Sequence, residues 1–226
     1  MSFDDNAHLV RLLQLSSSAL PVGGFTYSQG LEWAVECQWV STEGDLHAWL
    51  LDLIGTNLQY LEVPLLVRMT QACQDKDTLA LIRWIDILLA HRETSELRLE
   101  EMNRGRAMAR LLEDLEMELA NDWKIFLSKS QTAGFSLALS QWQIPISLGA
   151  QGFAWSWLEN ILISGVKLIP LGQVAGQRIL KNLAKPLAKA VEKGMSITDE
   201  EIGSSAPSLA YASAKHETQY TRLFRS

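Results

Sequence analysis

Residues 76–90 set the pattern that recurs along the chain. Leu81, Trp84, Ile85 and Leu88 fall at i, i+3, i+4 and i+7, one face of an α-helix. Residues 43–59 do much the same with Leu46, Leu50, Leu53 and Ile54, and Thr42 with Asp45 can cap the start of that helix. A long charged helix is predicted over 93–118. Met108, Leu111, Leu112 and Leu115 form its buried side, and Glu100–Arg104 and Arg110–Asp114 are i,i+4 pairs on its wet side. Residues 145–169 and 173–193 read as two more helices joined near Pro170-Leu171-Gly172, with Pro170 stopping the first and Gly194 the second. No convincing run of alternating strand residues interrupts them. The pattern predicts an all-α, single-domain bundle of about ten helices without a sheet, occupying 1–193. The loop-like stretch GMSITDEEIGSSAP (194–207) then detaches the last twenty residues, so 194–226 is expected to be a loop and a C-terminal tail.

Residues 130–158 carry no charged side chain, and the depletion continues to Gln177, broken only by Glu159 and Lys167. A bilayer helix needs ~20 mostly apolar residues. This stretch is instead studded with Ser and Gln and holds Pro145, so it is expected at the centre of the fold or under another subunit.

Charge and cysteine usage narrow the function. The formal net charge of −6 argues against nucleic acid as a main partner. Two cysteines, Cys37 and Cys73, make no disulfide framework and suit a reduced, cytosolic chain; Cys37, in the helical pattern LEWAVECQWV, reads as a core thiol. The start MSFDDNAHLV lacks the basic and apolar regions of a secretion signal. His8, His47, His91 and His216 have no metal-ligand spacing, and no CxxC, HExxH or G-x-S-x-G occurs. Neither a metal site within one chain, a cofactor nor a catalytic constellation is expected; a metal site shared across a subunit interface stays open.

One stretch stands apart, ALPVGGFTYSQGLE at 19–32. It fails as a phosphate loop, because five residues separate Gly24 from Gly30 and Leu31 stands where lysine is required. As bare structure it is a loop after a helix ending at Leu20, with Thr26 or Ser28 capping the next helix. Phe25, Tyr27, Gln29 and Glu32 clustered around glycines suit a protein-binding surface, where Tyr is favoured.

The longer stretch LLQLSSSALPVGGFTYSQGLEWAV resembles the N-terminal signature of the urease accessory protein UreF family. RETSELRLEEMNRGRAM (92–108) is similar to that family's long central helix, LIPLGQVAGQRIL (168–180) to a later helix junction, and HETQYTRLFRS (216–226) to its tail. Ser18 departs from the proline expected there, which relaxes the chain and removes no chemistry.

The resemblance implies an all-α, non-enzymatic protein that dimerises and binds the accessory protein UreD or UreH. It also implies recruitment of the nickel-carrying GTPase UreG and docking on apo-urease, so that nickel reaches the urease site. On that basis Gly24, Tyr27, Gln29 and Glu32, exposed at the loop-to-helix junction with Tyr27 as anchor, are expected to meet the GTPase; the alternative is that Phe25 and Tyr27 are core plugs. Tyr220, Arg222, Leu223, Phe224 and Arg225 are expected to meet UreD/UreH, in a tail poorly ordered by itself that becomes helical on the partner. A competing reading makes the protein a GTPase-activating regulator, with Arg92, Arg98, Arg104 or Arg106 as an arginine finger. Gln143 and Gln151 are candidates to line a wet path for the ion, against the reading of ordinary buried amides.

Overall fold

Eleven α-helices and one π-helical segment carry the chain, with no strand among residues 3–226, which the computed structural model describes. In order they are α1 (Phe3–Ser16), α2 (Leu31–Glu36), α3 (Glu43–Leu53), the π-helical segment Ile54–Glu62, and α4 (Val63–Gln74). There follow α5 (Thr78–Ala90), α6 (Ser95–Asp114), α7 (Lys124–Leu127), α8 (Gln131–Gln141), α9 (Ile146–Leu168), α10 (Gln173–Met195) and α11 (Pro207–His216). The all-α expectation holds.

Residues 131–139 of α8 are all buried, because α4 and α6 cover it on two sides. A helix without a charged residue needs such cover, since it offers no face to water. The α8 part of the uncharged stretch thus lies at the centre of the bundle. Gln143 is exposed in the turn after α8 and Gln151 is only half-buried on α9, so neither lies deep in it.

Local signals predicted some of the helix boundaries. Thr42 and Asp45 form a reciprocal capping box at α3. Leu81, Trp84, Ile85 and Leu88 are the buried face of α5. The pattern over 43–59, however, is not one α-helix. The chain changes to π-helical winding at Ile54 and returns to α at Val63, with Pro64 in the first turn of α4. Such winding is rare and brings Asn57 and Glu62 inward. The charged helix is shorter than expected. It starts after Arg92 and ends before Leu115, which is 40% exposed. Gly194 does not stop α10, which runs on to Met195 with Gly194 packed against Val63. Cys37 is exposed at the end of α2, and Cys73 is the buried thiol. The stretch 194–226 includes α11, which packs on α2 and α6.

Candidate functional site

The stretch 19–32 turns through a short 3₁₀ segment, Gly24–Thr26, between α1 and α2. Gly30 caps α2 with φ +77°, and a Cβ there would sit 2.6 Å from the Ser213 main-chain nitrogen, so glycine lets α2 and α11 meet. Neither expected side-chain cap occupies the N-cap. Thr26 Oγ1 donates back to the Gly23 carbonyl at 2.8 Å, while Ser28 Oγ accepts the Glu32 N–H at 3.3 Å.

The expectation of an exposed junction is corrected. Tyr27 is 5% exposed and its carbonyl accepts Ser164 Oγ of α9 at 3.2 Å. Gly24 is buried against Asn160, and Glu32 is buried at the start of α2. Gln29 is half-buried, its amide nitrogen 2.9 Å from Glu100 Oε1 and its oxygen 3.4 Å from Trp157 Nε1. Of the clustered Phe25, Tyr27, Gln29 and Glu32, Phe25 alone is exposed, at 52%. The polar groups of the motif face inward because α6, α9 and the tail pack around them.

The tail supplies the other half of the site. Glu32 accepts the main-chain N–H groups of Leu223 at 2.6 Å and Phe224 at 2.9 Å. The Arg225 N–H donates to the Thr26 carbonyl at 2.9 Å. Ser28 donates through both N–H and hydroxyl to the Ser226 main-chain oxygen, and Ser226 Oγ donates to Glu100 Oε2 at 2.9 Å. The chain after His216 is therefore held by hydrogen bonds in turns, where a poorly ordered tail with a latent helix was expected. Tyr220, Leu223 and Phe224 share no face: Phe224 is buried, while Tyr220 and Leu223 project into solvent. Arg222 pairs with Glu96 at 2.5 Å, and Arg225 is exposed.

His216 closes the assembly. It is fully buried, with Nε2 3.1 Å from Glu32 Oε2 and Nδ1 2.6 Å from Glu96 Oε2. Each ring nitrogen thus faces a carboxylate oxygen, one on α2 and one on α6. One residue on, Glu217 accepts Ser95 Oγ and the N–H groups of Ser95 and Glu96, capping α6 from the tail. The Ser95 hydroxyl bond holds the Glu217 carboxyl below its usual range.

The arginines of the competing reading are unequally free. Arg92 lies before α6, buried between Glu62 (2.5 Å) and Glu101 (2.8 Å). Burial alone would lower its affinity for the proton, but the two carboxylates outweigh this and raise it. Glu101 is pushed up by burial, yet Arg92 and the Ser130 hydroxyl hold it below its usual range. Glu101 also accepts the Gln131 N–H at 3.0 Å, placing its charge at the positive N-terminus of α8. Arg104 pairs with Glu100 at 2.9 Å, and both are largely buried, which corrects the wet-side placement of that pair. Among the described residues Arg110 and Asp114 make no ion pair. Arg98 reaches the Arg92 carbonyl, and Arg106 reaches Asn103 at the surface. Between the motif and this network lies a polar cavity of about 30 Å³, lined by Gln29, Glu62, Arg92, Glu100 and Arg104, room for one water.

No group of three or more His, Cys, Asp or Glu side chains that could hold a metal occurs among the described residues. No described helix is long and apolar enough to cross a membrane. The arrangement binds and positions chain segments. Sequence reasoning named Glu32 and the tail but missed Ser28, Glu96, Glu100 and His216 as the groups that join them. The available signal for Ser28 and His216 was their place within the two unusual motifs; Glu96 and Glu100, on α6, carried none.

The family model for UreF matches residues 40–184, between the motif and the tail. Full-length relatives extend the likeness across both. The urease accessory protein UreF of Alcanivorax borkumensis is 47% identical over 98% of this chain and all of its own length. That of Pseudomonas putida is 48% identical over 96% of this chain and 97% of its own, and that of Citrobacter koseri 42% over 98% and 99%. The chain belongs to the UreF family of urease accessory proteins.

Proposed function

We propose that this protein is a non-enzymatic, cytoplasmic assembly factor, acting as a homodimer, that bridges the UreD/UreH accessory protein and the GTPase UreG on apo-urease so that nickel, the cargo, can be delivered. The observation that carries the reading is the joining of motif and tail into one surface through Glu32, Ser28 and Glu100. Two partner-binding segments that lie far apart in sequence are then a single structural unit. Gly24, Tyr27, Gln29 and Glu32 shape the GTPase side from within, and Phe25 is the side chain they present. Tyr220, Leu223, Arg222 and Arg225 face the accessory partner, with Phe224 as the internal anchor.

Co-purification tests this. Tyr220→Ala with Leu223→Ala changes two exposed residues, so the fold should persist while recovery of UreD/UreH collapses. Phe25→Ala should spare UreD/UreH and weaken UreG. Equal recovery of both partners by these variants and the unchanged chain would refute the assignment. An arginine-finger role would have to fall to Arg98 or Arg106, whose alanine variants can be scored by UreG GTP turnover.

A further inference from the structure

A line of lysines runs along the outside of α10. Lys181, Lys185, Lys189 and Lys193 follow at four-residue steps, spanning about 18 Å at ~1.5 Å per residue. All four are exposed, and none makes an ion pair among the described residues. Arg68, Lys76, Arg92, Arg104, Lys124, Arg178 and Arg222 all have carboxylate partners, so the stripe contrasts with them. Like charges four apart on a helix repel. On a chain of net charge −6, four unpaired lysines in a row make a local field of the opposite sign.

The stripe borders an open groove of about 750 Å³ between the first turns of α9 and the C-terminal half of α10. Ser147 and Gln151 form one wall, Lys185 and Lys189 the other, and Ala188 and Met195 contribute apolar surface. Glu192 is the single acid there. None of these residues belongs to the surface formed by motif and tail.

We propose that this groove receives an acidic, amphipathic segment of a partner polypeptide, with carboxylates on Lys185 and Lys189 and apolar side chains against Ala188 and Met195. The inference rests on the assembly-factor reading above, to which it adds a second docking face. Charge complementarity selects the occupant. Nucleic acid is disfavoured because the chain is acidic overall and the stripe holds no arginine, whose fork suits phosphate. A lipid surface is disfavoured because the exposed face of α10 between the lysines offers Ala184 and Ala188 and no large apolar group to insert.

The test uses the full chain co-expressed with UreD/UreH, UreG and apo-urease. A carbodiimide joins a lysine amine to a touching carboxylate at zero length, and mass spectrometry then identifies the pair. Expected are cross-links from Lys185 or Lys189 to Asp or Glu of another polypeptide. The K185Q/K189Q variant, with unchanged circular dichroism and melting, should lose them and recover about tenfold less of that partner, with weaker salt dependence. The proposal is overturned by cross-links only to a second copy of this chain, detected by isotope mixing, or by normal recovery with the double variant. Wild-type binding to phosphatidylglycerol vesicles or duplex DNA that the variant loses would overturn it too. If the unchanged chain recovers no partner at all, the assembly-factor reading falls with it; if complexes form and ignore the two lysines, only the groove falls.

Discussion

Ser28 and Ser226 stand 198 positions apart, and the hydroxyl of the first donates to the main-chain oxygen of the second at 2.5 Å. The Ser28 N–H reaches the same oxygen at 2.6 Å. With Glu32, four residues after Ser28, accepting the Leu223 and Phe224 amides, this fastens the tail to the motif. Glu32→Ala should cost about 1–3 kcal/mol, since it leaves buried donors unpaired. Amide exchange at Leu223 and Phe224, followed by mass spectrometry, should accelerate while that of α8 stays slow. Unchanged exchange at those two amides would count against the fastening.

Tyr27 belongs to the core, so Tyr27→Ala should lower stability by about 3–5 kcal/mol, as for other buried aromatics. Phe25→Ala, two residues earlier and exposed, should leave the melting temperature nearly unchanged. A thermally normal Tyr27→Ala protein would contradict the packing described for the motif.

Arg92→Ala strands Glu62 and Glu101 without their cation. Breaking a buried pair in this way costs about 3–5 kcal/mol. Arg106→Ala, at the surface, should stay within ~0.5 kcal/mol. Urea unfolding of the two variants separates a structural arginine from a free one.

Glu101 and Glu217 both have carboxyls lowered from 4.5 in the folded chain. The unfolded chain therefore binds more protons in the acid range, and the stability they contribute is present above about pH 4.5 and lost as pH falls through their folded values. The urea midpoint should drop on acidification below that point, and the drop should be shallower in Glu217→Gln. An equally steep acid limb in that variant would exclude Glu217 as a contributor.

Burial pushes the Cys73 thiol up to about 12, whereas Cys37 is exposed. Iodoacetamide at neutral pH should modify Cys37 alone in the native chain and both cysteines in urea. Rapid native labelling of Cys73 would mean that α4 opens far more readily than its packing allows.

The sequence by itself determined what depends on neighbours along the chain. Periodicity placed α5, the stop at Pro170 separated α9 from α10, the Thr42–Asp45 pair marked the start of α3, and the charge-free stretch pointed to the centre of the fold or a covered surface. Local spacing decides such features. It also isolated the motif and the tail as unusual, and their resemblance to UreF named the family. Tertiary structure decided which polar groups are buried and with whom. Glu100 and Arg104 read as a solvated i,i+4 pair because helical spacing alone cannot reveal that α8, α9 and Ser226 cover that face. Arg92 and Glu62 lie on different elements, and only the fold brings them to 2.5 Å. The π-helical winding at Ile54 leaves the apolar spacing almost unchanged, so periodicity missed it. Glu32 read as an exposed partner contact and His216 and Glu96 as scattered charges, because a hydrogen-bond network spanning the motif, the central helix and the tail has no period in the sequence.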